Sequence, residues 1–130
     1  PPVHADRALV TNILWFHAHW VWVALATTGL VGAWGLVLAI LKRPPGRAFG
    51  IAVGVAIAAM LIQVSAGVAL YVYGLRPLNG FHVFYGIVIA VTFSLAYVYR
   101  AQLARKPALW YGLLLLFVMG LGFRAWSNVG

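Results

Sequence analysis

Four histidines and one acidic residue are the whole stock of imidazole and carboxylate in this chain of 130 residues, which also has no cysteine. Three of the histidines fall in two short stretches, FHAHW at 16–20 and FHVFY at 81–85. Imidazole ligates iron, copper and zinc, and equally the magnesium of chlorophylls. Other chemistry has little to draw on. There is no thiolate for a disulfide, an Fe–S cluster or a metal, and no Ser-His-Asp constellation. Proton pumps and ion-coupled transporters use acids inside the membrane, and the only acid here is Asp6, ahead of the first long apolar run. An independent enzyme is therefore not expected.

The elements that must position these histidines are membrane spans. The chain is 65% hydrophobic and 8% charged, with a mean hydropathy of +0.98, too little charge to cover a soluble surface. A spanning helix needs about 20 apolar residues, and four segments qualify, at 13–41, 49–73, 81–99 and 108–125. Their breaks are legible in Lys42-Arg43-Pro44-Pro45-Gly46-Arg47, in Gly74-Leu75-Arg76-Pro77-Leu78-Asn79-Gly80, and in Arg100 to Pro107. The expected fold is all-α, a single up-down-up-down bundle of four transmembrane helices.

Six basic residues (Lys42, Arg43, Arg47, Arg100, Arg105, Lys106) follow the first and third segments, against Arg7, Arg76 and Arg124 on the other side. The positive-inside rule then places both termini outside a prokaryotic plasma membrane. The net charge of +8 reads as a topology signal, with no nucleic-acid partner implied. PPVHADRALVTN contains no basic run followed by an apolar stretch and a cleavage site, so no signal peptide is expected. Tryptophans and tyrosines near the segment ends (Trp15, Trp20, Trp22, Tyr71, Tyr73, Trp110, Trp126) suit an interfacial belt. Gly50, Gly54 and Ala58, and likewise Gly29, Gly32 and Gly35, suit close helix contact.

A shift of 65 residues superposes the first segment on the third, with Phe16/Phe81, His17/His82, Val23/Val88, Thr27/Thr92 and Leu30/Leu95 identical. A duplicated two-helix hairpin would place His17 and His82 at similar depth on diagonal helices. Counted at 1.5 Å per residue, His82 lies about 27 Å from Arg100 and His17 about 37 Å from Lys42. Both are thus near the outer boundary. His19 points away from His17 on a helix.

Two imidazoles facing across a bundle fit the axial positions of a b-type haem. The neighbours expected beside it are Gly86 and Gly67, with Gly120 or Gly122 at comparable depth. Arg76 and Arg124 would meet the propionates, and Phe16, Phe81, Phe84 and Trp20 would pack on the macrocycle. Gln63 would hydrogen-bond across helices or approach a quinone or haem edge. Three alternatives stay open. One is a copper or zinc site of His4, Asp6, His17 and His82, another a chlorophyll-type pigment on one histidine, and the third plain contact of the histidines with lipid headgroups.

On the Phe16-His17 and Phe81-His82 pairs and Gly86, the chain resembles the four-helix membrane b-type cytochromes and one four-helix half of a haem A synthase-like protein. The resemblance implies haem held between helix histidines. It does not extend to synthase activity, because the acidic catalytic residue of that family has no counterpart here. The expected function is a small redox subunit binding haem b, with the lipid bilayer, further membrane subunits and a quinone as partners. The rival is a non-catalytic subunit of a respiratory or photosynthetic complex.

Overall fold

A computed structural model describes residues 3–129, with residues 3–5 described by their backbone alone. The helices are α1 (Val3–Ile40), α2 (Gly46–Val72), α3 (Gly80–Val98), α4 (Arg100–Leu103) and α5 (Pro107–Ser127), with no strand among the described residues. α1, α2, α3 and α5 are long and apolar enough to cross a membrane; α4 is a single turn. The last three spans begin and end within a few residues of expectation. The first helix starts ten residues earlier than the apolar run that marks it. No glycine or proline occurs between Val3 and Thr28, so nothing interrupts the helix where the sequence turns polar. Its 38 residues extend about 57 Å, nearly twice a hydrocarbon core of about 30 Å.

Local chemistry sets the ends. Lys42 adopts a left-handed conformation (φ 54°), and the Arg43 N–H reaches back to the Leu38 carbonyl at 2.9 Å before Pro44 forbids continuation. Gly74 (φ 92°) does the same for α2, with the Leu75 N–H on the Leu70 carbonyl at 3.0 Å. The Asn79 side chain caps α3 by accepting the Phe81 N–H at 2.9 Å. It also donates to the Asn128 side chain just beyond α5 (3.0 Å). The bundle therefore has a histidine end, where α2 and α5 finish and α3 begins, and a basic end holding the two short connections rich in Lys and Arg.

α1 packs along both α2 and α5, α3 rests on α5, and α2 touches α3 only sparsely. The tightest seam is α1 on α5. A Cβ built on Gly35 would lie 2.7 Å from the Ala108 carbonyl oxygen and 2.9 Å from the Gly112 Cα, and one built on Gly112 would lie 3.0 Å from the Gly32 carbonyl oxygen. The two backbones touch, as small residues allow in membrane helices. The row Gly50, Gly54, Ala58 departs from expectation: it faces outward, and a Cβ on Gly50 or Gly54 would meet nothing within 4 Å. α1 finds its partner instead in Gly112, which the sequence did not single out.

One pairing of positions inside the two hairpins follows the 65-residue offset. Trp20 Nε1 donates to the Ala59 carbonyl at 2.8 Å, and Arg124 Nε donates to the Tyr85 hydroxyl at 3.3 Å. Tyr85 and Arg124 each stand one offset beyond Trp20 and Ala59. Trp20 is thus a clamp between α1 and α2. The symmetry stops at the outer seams. Positions equivalent to Gly29, Gly32 and Gly35 are Ser94, Tyr97 and Arg100, and Gly112 corresponds to Arg47. No such residues can bring α2 and α3 backbone to backbone, so that side stays open.

The seam predicts a contrast. Gly35→Ala, whose new methyl meets fixed backbone, should lower stability by about 1–3 kcal/mol. Gly54→Ala should change it by less than about 0.5 kcal/mol. Thermal unfolding of both variants in detergent micelles measures this, and equal effects would contradict the seam.

Candidate functional site

His17 lies halfway along α1, half-buried, with its ring seated on Gly67 of α2. A Cβ there would come within 3.0 Å of His17 Cε1, so any side chain at residue 67 would displace the ring. His17 Nδ1 is 3.0 Å from the Gln63 carbonyl oxygen. A carbonyl only accepts, so Nδ1 carries the proton and donates. Gln63 answers in kind, its Nε2 donating to the His17 carbonyl at 2.8 Å. That bond settles which way the amide points, since the reverse would set oxygen against oxygen. Gln63 Oε1 is then a buried acceptor without a partner among the described residues.

His82 stands in the first turn of α3, and its Nδ1 donates to the Ala125 carbonyl in the last turn of α5 at 2.7 Å. Carbonyls of a last turn lack helical donors, and this one also takes the Asn128 N–H at 3.2 Å. His17 and His82, each on the first helix of a hairpin, are thus both anchored on a carbonyl of that hairpin's second helix.

The two rings meet across the bundle, centroids 6.1 Å apart and planes at 83°. Both Nδ1 atoms being donors, each neutral ring keeps its lone pair on Nε2, and neither Nε2 has a hydrogen-bond partner among the described residues. An imidazole whose far N–H is fixed by a carbonyl is the usual arrangement of a metal-ligating histidine. Two imidazoles in line through one metal, with bonds of about 2.0 Å and about 1.1 Å from nitrogen to ring centre, would set their centroids about 6.3 Å apart, against about 5 Å at a tetrahedral angle. Beneath the pair lies the apolar cluster of Val21, Met60 and Ile89. Gly86, one turn below His82, is half-buried, with free space where a Cβ would stand.

Other expected neighbours go elsewhere. Arg124, next to the carbonyl that holds His82, lies over the Tyr85 ring at 5.6 Å. Arg76 is stacked on Tyr71 at 4.1 Å, two turns along α2 past Gln63 and so about 12 Å beyond the pair's level. Phe81 and Phe84 are exposed and pair with each other (6.4 Å). Phe16 turns to the opposite side of the α1–α2 interface, where it joins Asn12, Ile13, Leu61 and Ser65 around a surface groove. Gly120 is exposed, and Gly122 is filled by Leu25, a Cβ there lying 2.7 Å from Leu25 Cδ2. His19 is stacked on Trp15 (4.3 Å) and directed away from His17.

Among the described residues, Asp6 is not brought to the histidine pair. Asp6 is on α1 itself, 11 residues and about 16 Å from His17. The His4 side chain lies outside the described residues, and the helical backbone around it cannot fold back. Among the described residues no three His, Cys, Asp or Glu side chains gather. Gln63 makes the cross-helix hydrogen bond expected of it, and Gly67 lies beside the site as expected; what the sequence did not disclose is that both meet His17, and that the Ala125 carbonyl holds His82. Backbone acceptors leave no trace in residue type. Comparison with known proteins finds no matching family model, no similar curated protein and no similar solved structure.

The anchoring has a spectroscopic consequence. Free neutral histidine favours the proton on Nε2, whereas His17 and His82 should both carry it on Nδ1. Nitrogen-15 NMR of histidine-labelled protein in micelles at alkaline pH reports the tautomer, and an Nε2–H signature at either residue would refute the assignment.

Proposed function

We propose that the chain is a small membrane redox subunit that holds a b-type haem between His17 and His82. The carrying observation is the pair of carbonyl-anchored imidazoles, 6.1 Å apart, with free Nε2 lone pairs. The loosely packed side between α2 and α3 offers the ring a way in, and the space beside Gly86 offers it room. When bound, haem supplies one-electron chemistry. The protein's part is to fix both imidazoles and to keep water out from below with Val21, Met60 and Ile89.

The surplus of Lys and Arg at the basic end supports a cytoplasmic position for that end in a prokaryotic plasma membrane, with both termini and the histidines outside. Electrons would then pass between a quinol or membrane partner and an external carrier. Likeness to four-helix b-type cytochromes belongs to this reading. A second reading, an accessory subunit of a respiratory or photosynthetic complex, draws on the outward row Gly50, Gly54, Ala58, which suits another membrane helix.

The optical spectrum of the purified native protein decides between them. A Soret band with low-spin character is expected, abolished or shifted to high spin in His17→Ala and in His82→Ala. A protein without haem, or a band indifferent to both substitutions, would sink the redox reading in favour of the accessory one.

A further inference from the structure

At the opposite end of the molecule, the one-turn helix α4 and the start of α5 form an elbow whose chemistry the histidine site does not use. Tyr99, Gln102, Leu103, Arg105, Lys106 and Trp110 line an open groove of about 420 Å³ there. Its cations are unspent. The chain's only acidic residue, Asp6, is near the far end of α1, so neither Arg105 nor Lys106 has an ion-pair partner among the described residues. Arg100, their neighbour, is turned away, its Nη1 donating to the Tyr97 carbonyl at 2.8 Å and its guanidinium over the Tyr97 ring at 4.3 Å. The rest of the wall is Tyr99, Leu103 and Trp110, and the apolar sides of α3 and α5 continue from it through exposed Val98 and Leu113.

We infer that this groove binds the headgroup of an anionic phospholipid, with Arg105, Lys106 and the Gln102 amide on the phosphodiester and the acyl chains descending past Leu103 and Leu113. Two adjacent cations suit a phosphate at the membrane surface. Tyr99 and Trp110 are the residue types that settle at headgroup depth. A lipid, unlike free phosphate, also covers the apolar wall. The inference is independent of any cofactor at the histidine end.

The test uses the full chain in neutral detergent, with native mass spectrometry titrating phosphatidylglycerol, phosphatidylcholine and inorganic phosphate. Phosphatidylglycerol should bind well ahead of phosphatidylcholine, and inorganic phosphate should not displace it. The double substitution Arg105→Gln/Lys106→Gln should weaken phosphatidylglycerol roughly thirtyfold. Arg43→Gln/Arg47→Gln, which removes the same charge from the α1–α2 connection, should weaken it less than about threefold, because those cations lie outside the groove. Equal losses from both pairs, indifference to headgroup charge, or displacement by inorganic phosphate would each overturn the assignment. Photo-crosslinkable phosphatidylglycerol on the unaltered protein gives a check that needs no variant. Labelling within 99–110 is expected, and labelling confined to other segments would overturn it.

Discussion

The crossing of α1 on α5 at Gly32, Gly35 and Gly112 governs the rest of the molecule. In a bilayer, apolar side chains gain little by leaving lipid for protein, so helices associate where shape lets dispersion contacts accumulate. Backbone on backbone is the closest such fit. Once α1 and α5 are joined there, the hairpin partners α2 and α3 are carried to the flanks. They cannot close on each other, because Tyr97, Arg100 and Arg47 occupy the positions where glycines would be needed. A chain built of two similar hairpins therefore gives a bundle with one sealed seam and one loose one, and the histidines come together between them.

Much of this fold was legible in the residues, for an identifiable reason. Runs of apolar residues closed by Arg, Lys, Pro and Gly translate directly into spans, since lipid tolerates neither charge nor unpaired backbone. The 65-residue offset, read from Phe16-His17 and Phe81-His82, reappears in the contacts of Trp20 and Tyr85. Two things were not legible. The start of α1 was missed because hydropathy marks where lipid can begin, whereas a helix continues until something breaks it. The partner of the α1 glycines was missed because a row of small residues does not say which helix it faces; Gly50 and Gly54 have the same spacing logic and meet nothing.

At the histidine end, residue type singled out the two imidazoles and backbone geometry supplied their posture. A carbonyl that accepts from Nδ1 fixes both the tautomer and the plane of a ring. It asks for no particular side chain, only for a helix at the right height. Gln63 adds a second bond across the same gap, so α1 and α2 are locked in axial position where the His17 ring leans on Gly67. His17 is reached in the middle of a helix and His82 at the beginning of one. Their carbonyl partners, Gln63 and Ala125, are 62 residues apart, so the 65-residue offset relates the histidines themselves and not the carbonyls that hold them.

The length of α1 gives the histidine end an uneven profile. Trp126, in the last turn of α5, meets Trp22 of α1 with ring centroids 5.4 Å apart. Beyond that level α1 runs on for 19 residues to Val3 and α2 for 13 residues from Ala59 to Val72, about 28 Å and about 20 Å. The imidazole pair consequently lies at the foot of a two-helix parapet, with the 73–79 connection descending beside it. A molecule coming from the aqueous side has open ground over the end of α5 and a wall opposite. Its angle of arrival is decided by the relief of the protein, before charge or hydrogen bonding has any part in it.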